Sequence, residues 1–153
     1  MDDALDDIAK LGGIVSKKDY PYEAKDQTCA LDAKKAVMTD TGSVLLPEGD
    51  EEKLKEIVAT YGPVSVSIYA TYDYAGYYKG IFQDELCTKE KDIGHQLNRG
   101  VLIVGYGMDE HHMKYWIVKD CLGQFWGEDG YIRIKRGVNM CGIALLPTIA
   151  KFD

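Results

Sequence analysis

The chain has 153 residues, of which 46% are hydrophobic and 28% are charged, and its formal net charge is −7. This length and composition predict a globular domain with a substantial core. The negative charge argues against nucleic acid or an anionic membrane as the main partner, and the apolar runs are far shorter than a membrane span needs. Because the first residues are acidic and no apolar segment follows them, we predict no secretory signal in this sequence.

The first 62 residues predict two short helices and a strand. Apolar residues at helical spacing favour a helix from Ala4 to Leu11, which the glycine pair at 12 and 13 ends. β-branched and apolar residues predict a strand over Ala36–Leu46. Asp50 is placed to cap a second helix that ends at Gly62. The apolar face of this second helix is expected to consist of Leu54, Ile57, Val58 and Tyr61.

Most of the remaining chain predicts strands. Val64–Ile68 alternates with period two, and Val101–Val104 is a continuous apolar run typical of a strand buried on both faces. Further strands are expected over Tyr115–Val118 and Tyr131–Ile134. The order of elements predicts an α+β fold in which one helix precedes an antiparallel sheet that curls into a barrel.

Three segments stand in the order of a known family's motifs: YGPVSVSI at 61–68, LNRGVLIVGYG at 97–107 and KYWIVKDCLGQFWGEDGYIRIKRGVNMCGIA at 114–144. Together they resemble the C-terminal part of papain-like cysteine peptidases of the cathepsin L type. The resemblance implies a remnant left-domain helix at 1–13 and a papain-like right domain, an antiparallel β-barrel with short peripheral helices, at 14–153. It also implies that the left domain is largely absent from this sequence.

The family's catalytic residues do not recur at the matching positions. In the family, a cysteine thiolate attacks the peptide carbonyl, a histidine shares its proton, and an asparagine orients the histidine. Arg99 stands at the histidine position and Asp120 at the asparagine position, and the segment that carries the nucleophile is not in the sequence. Because arginine does not deprotonate in proteins, it cannot act as the base. We therefore expect a pseudo-peptidase, without catalytic activity of its own.

Arg99 and Asp120 form a candidate pair in their own right. The family's histidine and asparagine hydrogen-bond to each other, and the replacements keep a donor facing an acceptor while adding opposite charges. One interpretation is a structural salt bridge that fills an inactive site, and the other is an anchor for an anion or carboxylate at Arg99. Cys121 follows Asp120, and we expect it to be a buried small residue rather than a displaced nucleophile. Leu122 replaces a tryptophan that shields this site in the family.

The resemblance also assigns binding residues and a disulfide. By position, the residues that line the family's substrate cleft are Ser67, Ala70, Leu97, Asn98, Gly100 and Leu146. Leu146 is larger than the small residue common there, which argues against ordinary substrate binding. The resemblance pairs Cys87 with Cys141 and leaves Cys29 and Cys121 as free or intermolecular thiols. Cysteine usage, like the family, indicates an extracellular or lysosomal setting.

Three further groups are candidates for function. Five tyrosines are dense in the sequence, and they favour either packing of two or three of them with the rest exposed, or a binding surface: Tyr69, Tyr72, Tyr74, Tyr77 and Tyr78. His111 and His112 are expected at an exposed hairpin tip, and His95 falls in an apparent insertion at 88–96. No ligand spacing supports a metal site, and we predict no cofactor. Trp126 is expected to pack on the barrel.

Four functions stay open at this point. The favoured prediction is an inactive homologue that acts by protein binding or self-association, through a homodimer or a partner on the face that normally docks the left domain. The second is one chain of a split peptidase that hydrolyses peptide bonds, which Arg99 disfavours because the base would still be missing. The third is a structural or adhesive secreted protein, and the fourth is unrelated chemistry at Arg99, Asp120 and Cys121.

Overall fold

The computed structural model describes residues 1–89 and 93–152. The α-helices in this part are α1 (Asp2–Leu11), α2 (Glu51–Thr60), α3 (Tyr72–Ala75) and α4 (Glu85–Lys89). The strands are β1 (Ile14–Val15), β2 (Ala36–Met38), β3 (Ser43–Leu45), β4 (Val64–Ile68), β5 (Ile81–Phe82), β6 (Arg99–Met108), β7 (Lys114–Lys119), β8 (Tyr131–Lys135) and β9 (Thr148–Ala150). Short 3₁₀ turns lie at Ala33–Lys35, Ile93–Gln96 and Met140–Gly142.

The chain divides into two compact units. The smaller contains Asp2–Val44 and the residues from Ala150 on, and the larger contains Leu45–Ile149 with Met1. The predicted boundary between a left-domain remnant and a right domain, after residue 13, concerns the family's domains and stays a prediction. Within the described residues, no helix is long and apolar enough to cross a membrane.

The smaller unit is built from α1 and the antiparallel pair β1–β2. The predicted first helix is confirmed, and it begins two residues earlier than expected, at Asp2. Gly13 follows it with a φ of 124°, and a Cβ there would lie 2.6 Å from the Met38 carbonyl oxygen, so only glycine fits this passage. The single strand predicted over Ala36–Leu46 is wrong: β2 and β3 are separate strands, with Gly42 in a left-handed conformation between them.

The larger unit is organised around strands that follow one another in the sheet in the order β9–β4–β6–β7–β8–β5. Neighbours β4–β6, β6–β7 and β7–β8 are antiparallel, as predicted. β5 pairs in parallel with β8, so the sheet is mixed rather than wholly antiparallel. The predicted α+β class with short peripheral helices is confirmed, and four α-helices occur in the described residues.

The core of the larger unit lies on one face of this sheet. Along β4, Val64, Val66 and Ile68 are fully buried and the serines between them are half-buried, as period two predicts. β6 also alternates, with Leu102 and Val104 only half-buried, so the prediction of burial on both faces is wrong. The apolar residues of β6 that point away from the core, Leu102 and Val104, therefore lie on a face of the sheet that is only partly covered. The largest buried side chains on β7 and β8 are Trp116, Val118, Ile132 and Ile134.

Helix α2 packs on this core and carries an unpredicted buried carboxylate. Asp50 caps the helix by accepting the Lys53 N–H at 2.8 Å, as predicted. Glu51 is buried, and its carboxylate accepts the indole N–H of Trp116 at 2.8 Å and the backbone N–H of Gly137 at 2.9 Å. Tyr61, predicted on the apolar face, is exposed because the helix ends at Thr60.

The cysteines follow the arrangement that the resemblance implies. Cys87 and Cys141 form a disulfide that joins α4 to the 3₁₀ turn at Met140–Gly142. Cys29 and Cys121 are exposed free thiols. The prediction that Cys121 is buried is therefore wrong, because Cys121 lies in the exposed loop that follows β7.

Candidate functional site

Two neighbouring strands bring the candidate pair together. Arg99 is the first residue of β6, and Asp120 follows Lys119, the last residue of β7. Because β6 and β7 are antiparallel neighbours, the first residue of β6 and the last residue of β7 lie at the same end of the strand pair. The two side chains therefore come from strand ends that the sheet holds in place.

Arg99 and Asp120 form a bidentate ion pair, which confirms the predicted pairing. Nε of Arg99 donates to Oδ2 of Asp120 at 2.7 Å, and Nη2 donates to Oδ1 at 2.5 Å. The Asp120 side chain is completely buried, whereas a quarter of the Arg99 side chain is exposed. Two parallel charge-assisted bonds of this kind fix orientation as well as charge. The carboxylate is inaccessible, and Arg99 is the member of the pair whose side chain solvent can reach.

Asp120 accepts three more hydrogen bonds. The hydroxyl of Tyr74 donates to Oδ2 at 2.6 Å, and the backbone N–H groups of Cys121 and Leu122 donate to Oδ1 at 2.5 and 3.1 Å. Burial acts to raise the pKa of Asp120, but the hydrogen bonds from Arg99 and Tyr74 outweigh it and leave that pKa below its ordinary value. Asp120 is therefore a fixed anion with its hydrogen-bonding capacity filled.

The partners of Asp120 are held in single protonation states near neutral pH. Burial, together with the hydrogen bond to Asp120, raises the pKa of Tyr74. The hydrogen bond with Asp120 raises the pKa of Arg99 despite partial burial of the guanidinium. The guanidinium also lies 5.7 Å from the centre of the Tyr74 ring, within reach of a cation–π contact. These directions favour an anionic Asp120, a cationic Arg99 and a neutral Tyr74 at neutral pH.

A groove of about 740 Å³ opens beside the guanidinium. Its lining residues are Tyr69, Ala70, Thr71, Tyr72, Asp73, Tyr74, Ala75, Leu86, Asn98, Arg99 and Leu122. We call this feature the Arg99 groove. Its rim is apolar and accessible, because Tyr72, Leu86 and Leu122 are all exposed. The tryptophan position that Leu122 occupies is therefore part of an open surface.

The six residues predicted to line a substrate cleft separate into two groups. Ala70 and Asn98 line the Arg99 groove, and the Asn98 amide bonds both the N–H and the C=O of Ala70, at 2.8 and 3.2 Å. The other four, Ser67, Leu97, Gly100 and Leu146, do not line this groove. Ser67 and Gly100 face each other across β4 and β6, and Leu146 is half exposed. Their predicted binding roles stay predictions.

One wall of the groove is held by a buried aspartate that sequence reasoning missed. The Thr71 hydroxyl, at the N-cap of α3, donates to Oδ2 of Asp84 at 2.5 Å, and Asp84 also accepts the N–H of Leu86 at 2.7 Å. This link fixes the start of α3 against the start of α4. It therefore sets the spacing between the rim residues Tyr72 and Leu86.

The tyrosine segment combines both interpretations given above. Tyr74 and Tyr77 are buried and pack against Phe82 and Trp126, with ring centres 5.3 to 6.2 Å apart. The other members of the segment are half-buried or exposed. Trp126 packs here as expected, and its indole N–H donates to the Ala75 carbonyl at 2.9 Å. Sequence reasoning marked the segment but could not single out Tyr74 as a partner of Asp120.

The histidines lie away from the groove. His111 and His112 occupy the turn between β6 and β7, as predicted, where Asp109 accepts the N–H groups of His111 and Met113. His95 lies in the 3₁₀ turn Ile93–Gln96, and the expected insertion at 88–96 falls partly outside the described residues. In residues 1–89 and 93–152, no three His, Cys, Asp or Glu side chains gather as metal ligands would.

Known proteins resemble this chain over most of its length. The sequence profile of the papain family cysteine proteases matches residues 1–150. Cathepsin L of Sarcophaga peregrina is 47% identical over 146 residues, which is 94% of this chain and 42% of that protein. A cathepsin L-like protein of Caenorhabditis elegans is 45% identical over the same shares of the two chains. This chain thus spans less than half the length of these relatives.

Solved structures show the same fold. Digestive procathepsin L 3 of the Tenebrio molitor larval midgut superposes with a TM-score of 0.89 at 41% identity, over 99% of this chain and 48% of that one. The bromelain protease of Ananas comosus superposes with a TM-score of 0.86 at 31% identity, over 98% of this chain and 68% of that one. The chain therefore belongs to the papain family of cysteine proteases, as a cathepsin L-like member.

Proposed function

We propose that this chain does not hydrolyse peptide bonds and that it acts by binding a protein segment in the Arg99 groove. The observation that carries the proposal is the bidentate Arg99–Asp120 pair, with its carboxylate buried and its guanidinium accessible. It stands where the resemblance places the family's histidine and asparagine. The pair supplies a charged donor in a fixed orientation, and binding requires such a donor, whereas hydrolysis requires a group that exchanges protons.

The protonation states of the pair support the loss of hydrolysis. A peptidase base must accept a proton from its nucleophile and later return it to the leaving group. The pKa of Arg99 is raised by its bond to Asp120, and the pKa of Asp120 is lowered by Arg99 and Tyr74. Both shifts hold the charged forms, so no member of this pair cycles a proton near neutral pH.

The surface of the groove supports binding. Tyr72 is 98% exposed and Leu86 is 72% exposed, and both lie on the rim beside the half-exposed Leu122. Accessible aromatic and aliphatic side chains around a fixed polar group are typical of sites that recognise peptides and proteins. We propose a protein partner or a second copy of this chain as the occupant, in an extracellular or lysosomal setting.

Two alternatives remain as competing proposals. A split peptidase would take its nucleophile from a second chain, and Arg99 disfavours this because the site would still lack a base. A structural or adhesive role would use the exposed members of the tyrosine segment, Tyr72 and Tyr78, because Tyr74 and Tyr77 are buried. The Arg99 groove supports a binding role more directly than either alternative.

The test for hydrolysis compares the wild-type chain with Arg99→His/Asp120→Asn. Each is mixed with an N-terminal part of a cathepsin L relative that carries the nucleophilic cysteine, and cleavage of a fluorogenic peptide is followed from pH 4 to pH 8. We expect no turnover with the wild-type chain and turnover with the double variant. Turnover with wild type at the rate of the double variant would overturn the proposal. Light scattering of the pure chain, which measures native mass, tests self-association separately.

A further inference from the structure

We propose that the Arg99 groove recognises the free C-terminal carboxylate of a peptide whose last side chain is apolar. This inference rests on the proposed binding function and names the chemical class of its ligand. It is carried by the juxtaposition of an unused guanidinium edge with an exposed apolar rim.

The guanidinium of Arg99 has donors to spare. It carries five N–H groups, of which the structure uses two on Asp120. Nη2 also lies 3.8 Å from Sγ of Cys121, a weak contact, and Nη1 donates to no acceptor in the described residues. The Nη1–Nη2 edge of a guanidinium presents two parallel N–H groups whose spacing matches a carboxylate. A second carboxylate can therefore bind Arg99 without displacing Asp120.

Asp120 does not need the whole guanidinium. Its two oxygens accept three further hydrogen bonds, from the Tyr74 hydroxyl and from the backbone N–H groups of Cys121 and Leu122. Neutral donors thus share the stabilisation of the buried charge. Among the described residues that line the groove, Arg99 is the one cation and Asp73 is the one anion. A carboxylate that enters the groove therefore finds its cationic hydrogen-bond donors on Arg99.

The apolar rim selects what precedes the carboxylate. Leu86 and Leu122 are exposed and share the groove with Arg99, and Ala75 lines it as well. Burial of an apolar C-terminal side chain against these residues removes apolar surface from water on both partners. The chain carries a net charge of −7, so a ligand with one terminal charge is repelled less than an acidic segment. A chain terminus ending in a residue such as leucine fits both features.

The test measures the affinity of matched peptides by isothermal titration calorimetry at low salt. The probes are acetyl-Ala-Ala-Leu with a free C-terminus, the same peptide as its C-terminal amide, and acetyl-Ala-Asp-Leu amide. For the wild-type chain we expect the free acid to bind at least tenfold more tightly than either amide. Replacement of the last residue by glycine should weaken binding of the free acid, because the rim loses its apolar partner.

Two double variants make the test specific. Arg99→Gln/Asp120→Asn removes the cation without leaving a buried carboxylate unpaired, and we expect it to lose the preference for the free acid. Arg133→Gln/Glu128→Gln removes a second bidentate pair that lies outside the groove lining, and it should keep the preference. Circular dichroism confirms that each variant is folded before its affinity is compared.

The outcomes separate this inference from the proposed function. Equal affinity for free acid and amide would overturn the carboxylate inference and leave peptide binding intact. Tight binding of the Asp-containing amide would show that a side-chain carboxylate suffices, and it would overturn recognition of the terminus. No binding of any probe at millimolar concentration would overturn peptide binding by the groove itself.

Discussion

Two arginine–carboxylate pairs in the larger unit use the same bond geometry in different surroundings. Arg133 binds Glu128 through Nε at 2.9 Å and Nη2 at 2.7 Å, as Arg99 binds Asp120. In both pairs the arginine pKa is raised and the carboxylate pKa is lowered. The Arg133 and Glu128 side chains are 32% and 29% exposed, so water reaches both members of that pair.

The difference lies in what surrounds each pair. Arg133 lies over the Tyr115 ring at 5.3 Å and is not among the residues that line the Arg99 groove of about 740 Å³. Asp120 is fully buried, and this leaves the guanidinium as the accessible member. A bidentate pair or a shifted pKa therefore does not mark a site by itself. An accessible donor edge next to an apolar rim is what distinguishes Arg99.

The largest expected difference between the pairs concerns removal of the carboxylate. Asp120→Ala leaves Arg99, the buried Tyr74 hydroxyl and two backbone N–H groups without their acceptor, and we expect a loss of about 3–5 kcal/mol in the free energy of unfolding. Glu128→Ala should cost about 1 kcal/mol, because water can replace a partly exposed partner. Urea unfolding followed by tryptophan fluorescence measures both. Equal losses would show that burial does not separate the two pairs.

The second prediction concerns the Cys87–Cys141 disulfide, which lies next to the groove residue Leu86. Cys87→Ala/Cys141→Ala opens a crosslink across 54 residues, and we expect it to lower the free energy of unfolding by about 2–4 kcal/mol. Leu86 adjoins Cys87, so the affinity for the free-acid peptide should fall as well. Calorimetric melting and peptide titration measure the two effects. The matched control, Cys29→Ser, should leave both quantities unchanged, because Cys29 is free and exposed.

A smaller effect tests the donor that Tyr74 supplies. Tyr74→Phe removes the hydroxyl that donates to Asp120 at 2.6 Å, and we expect a loss of about 1–2 kcal/mol in the free energy of unfolding. Tyr72→Phe removes a hydroxyl on a side chain that is 98% exposed, so stability should change by less than about 0.5 kcal/mol. The midpoints of urea unfolding measure both effects, provided that the slope of the unfolding free energy against urea concentration is the same for both variants. Identical midpoints for the two variants would contradict the role assigned to Tyr74.

The smallest expected difference between the two pairs concerns how much stability each carboxylate loses at low pH. The pKa values of Asp120 and Glu128 are both lowered in the folded chain, so each carboxylate contributes stability that is present above its unfolded pKa of about 4 and is lost as pH falls through its folded pKa. Asp120→Asn and Glu128→Gln should each reduce the loss of stability below pH 4. Melting temperatures between pH 7 and pH 2 measure this. A steeper loss in either variant would contradict the sign.

The fold followed from the sequence wherever periodicity decided the structure. α1, α2, β4, β7 and β8 lie where spacing and caps predict them. The parallel pairing of β5 with β8 could not be predicted, because two residues carry no period and their partner lies 52 positions away. The single strand predicted over Ala36–Leu46 failed for a local reason. Composition there favours strand throughout, but Gly42 adopts a left-handed conformation and separates β2 from β3.

The Arg99–Asp120 pair could be predicted from the sequence, but the residues that hold it and the groove in place could not. Arg99 and Asp120 could be paired because the family motifs place their positions side by side, and the hydrogen bonds confirm this. Tyr74 and Asp84 could not be assigned, because their partners lie 46 and 13 residues away and no spacing rule connects them. Glu51 lies in the first turn of α2, where acidic residues are common, so its position alone does not indicate burial. Its burial depends on the Trp116 indole, 65 residues away in the chain.

The exposed thiol of Cys121 allows a fluorescent reporter to be attached next to Arg99. It lies 3.8 Å from Nη2 of Arg99, and only Cys29 shares its status as a free cysteine among the four in the chain. Cys29→Ser therefore leaves Cys121 as the one free thiol, beside Arg99. A maleimide dye coupled there would change its emission when a ligand displaces water from Arg99. Occupancy could then be followed in real time, in crude mixtures, for ligands whose identity is still undetermined.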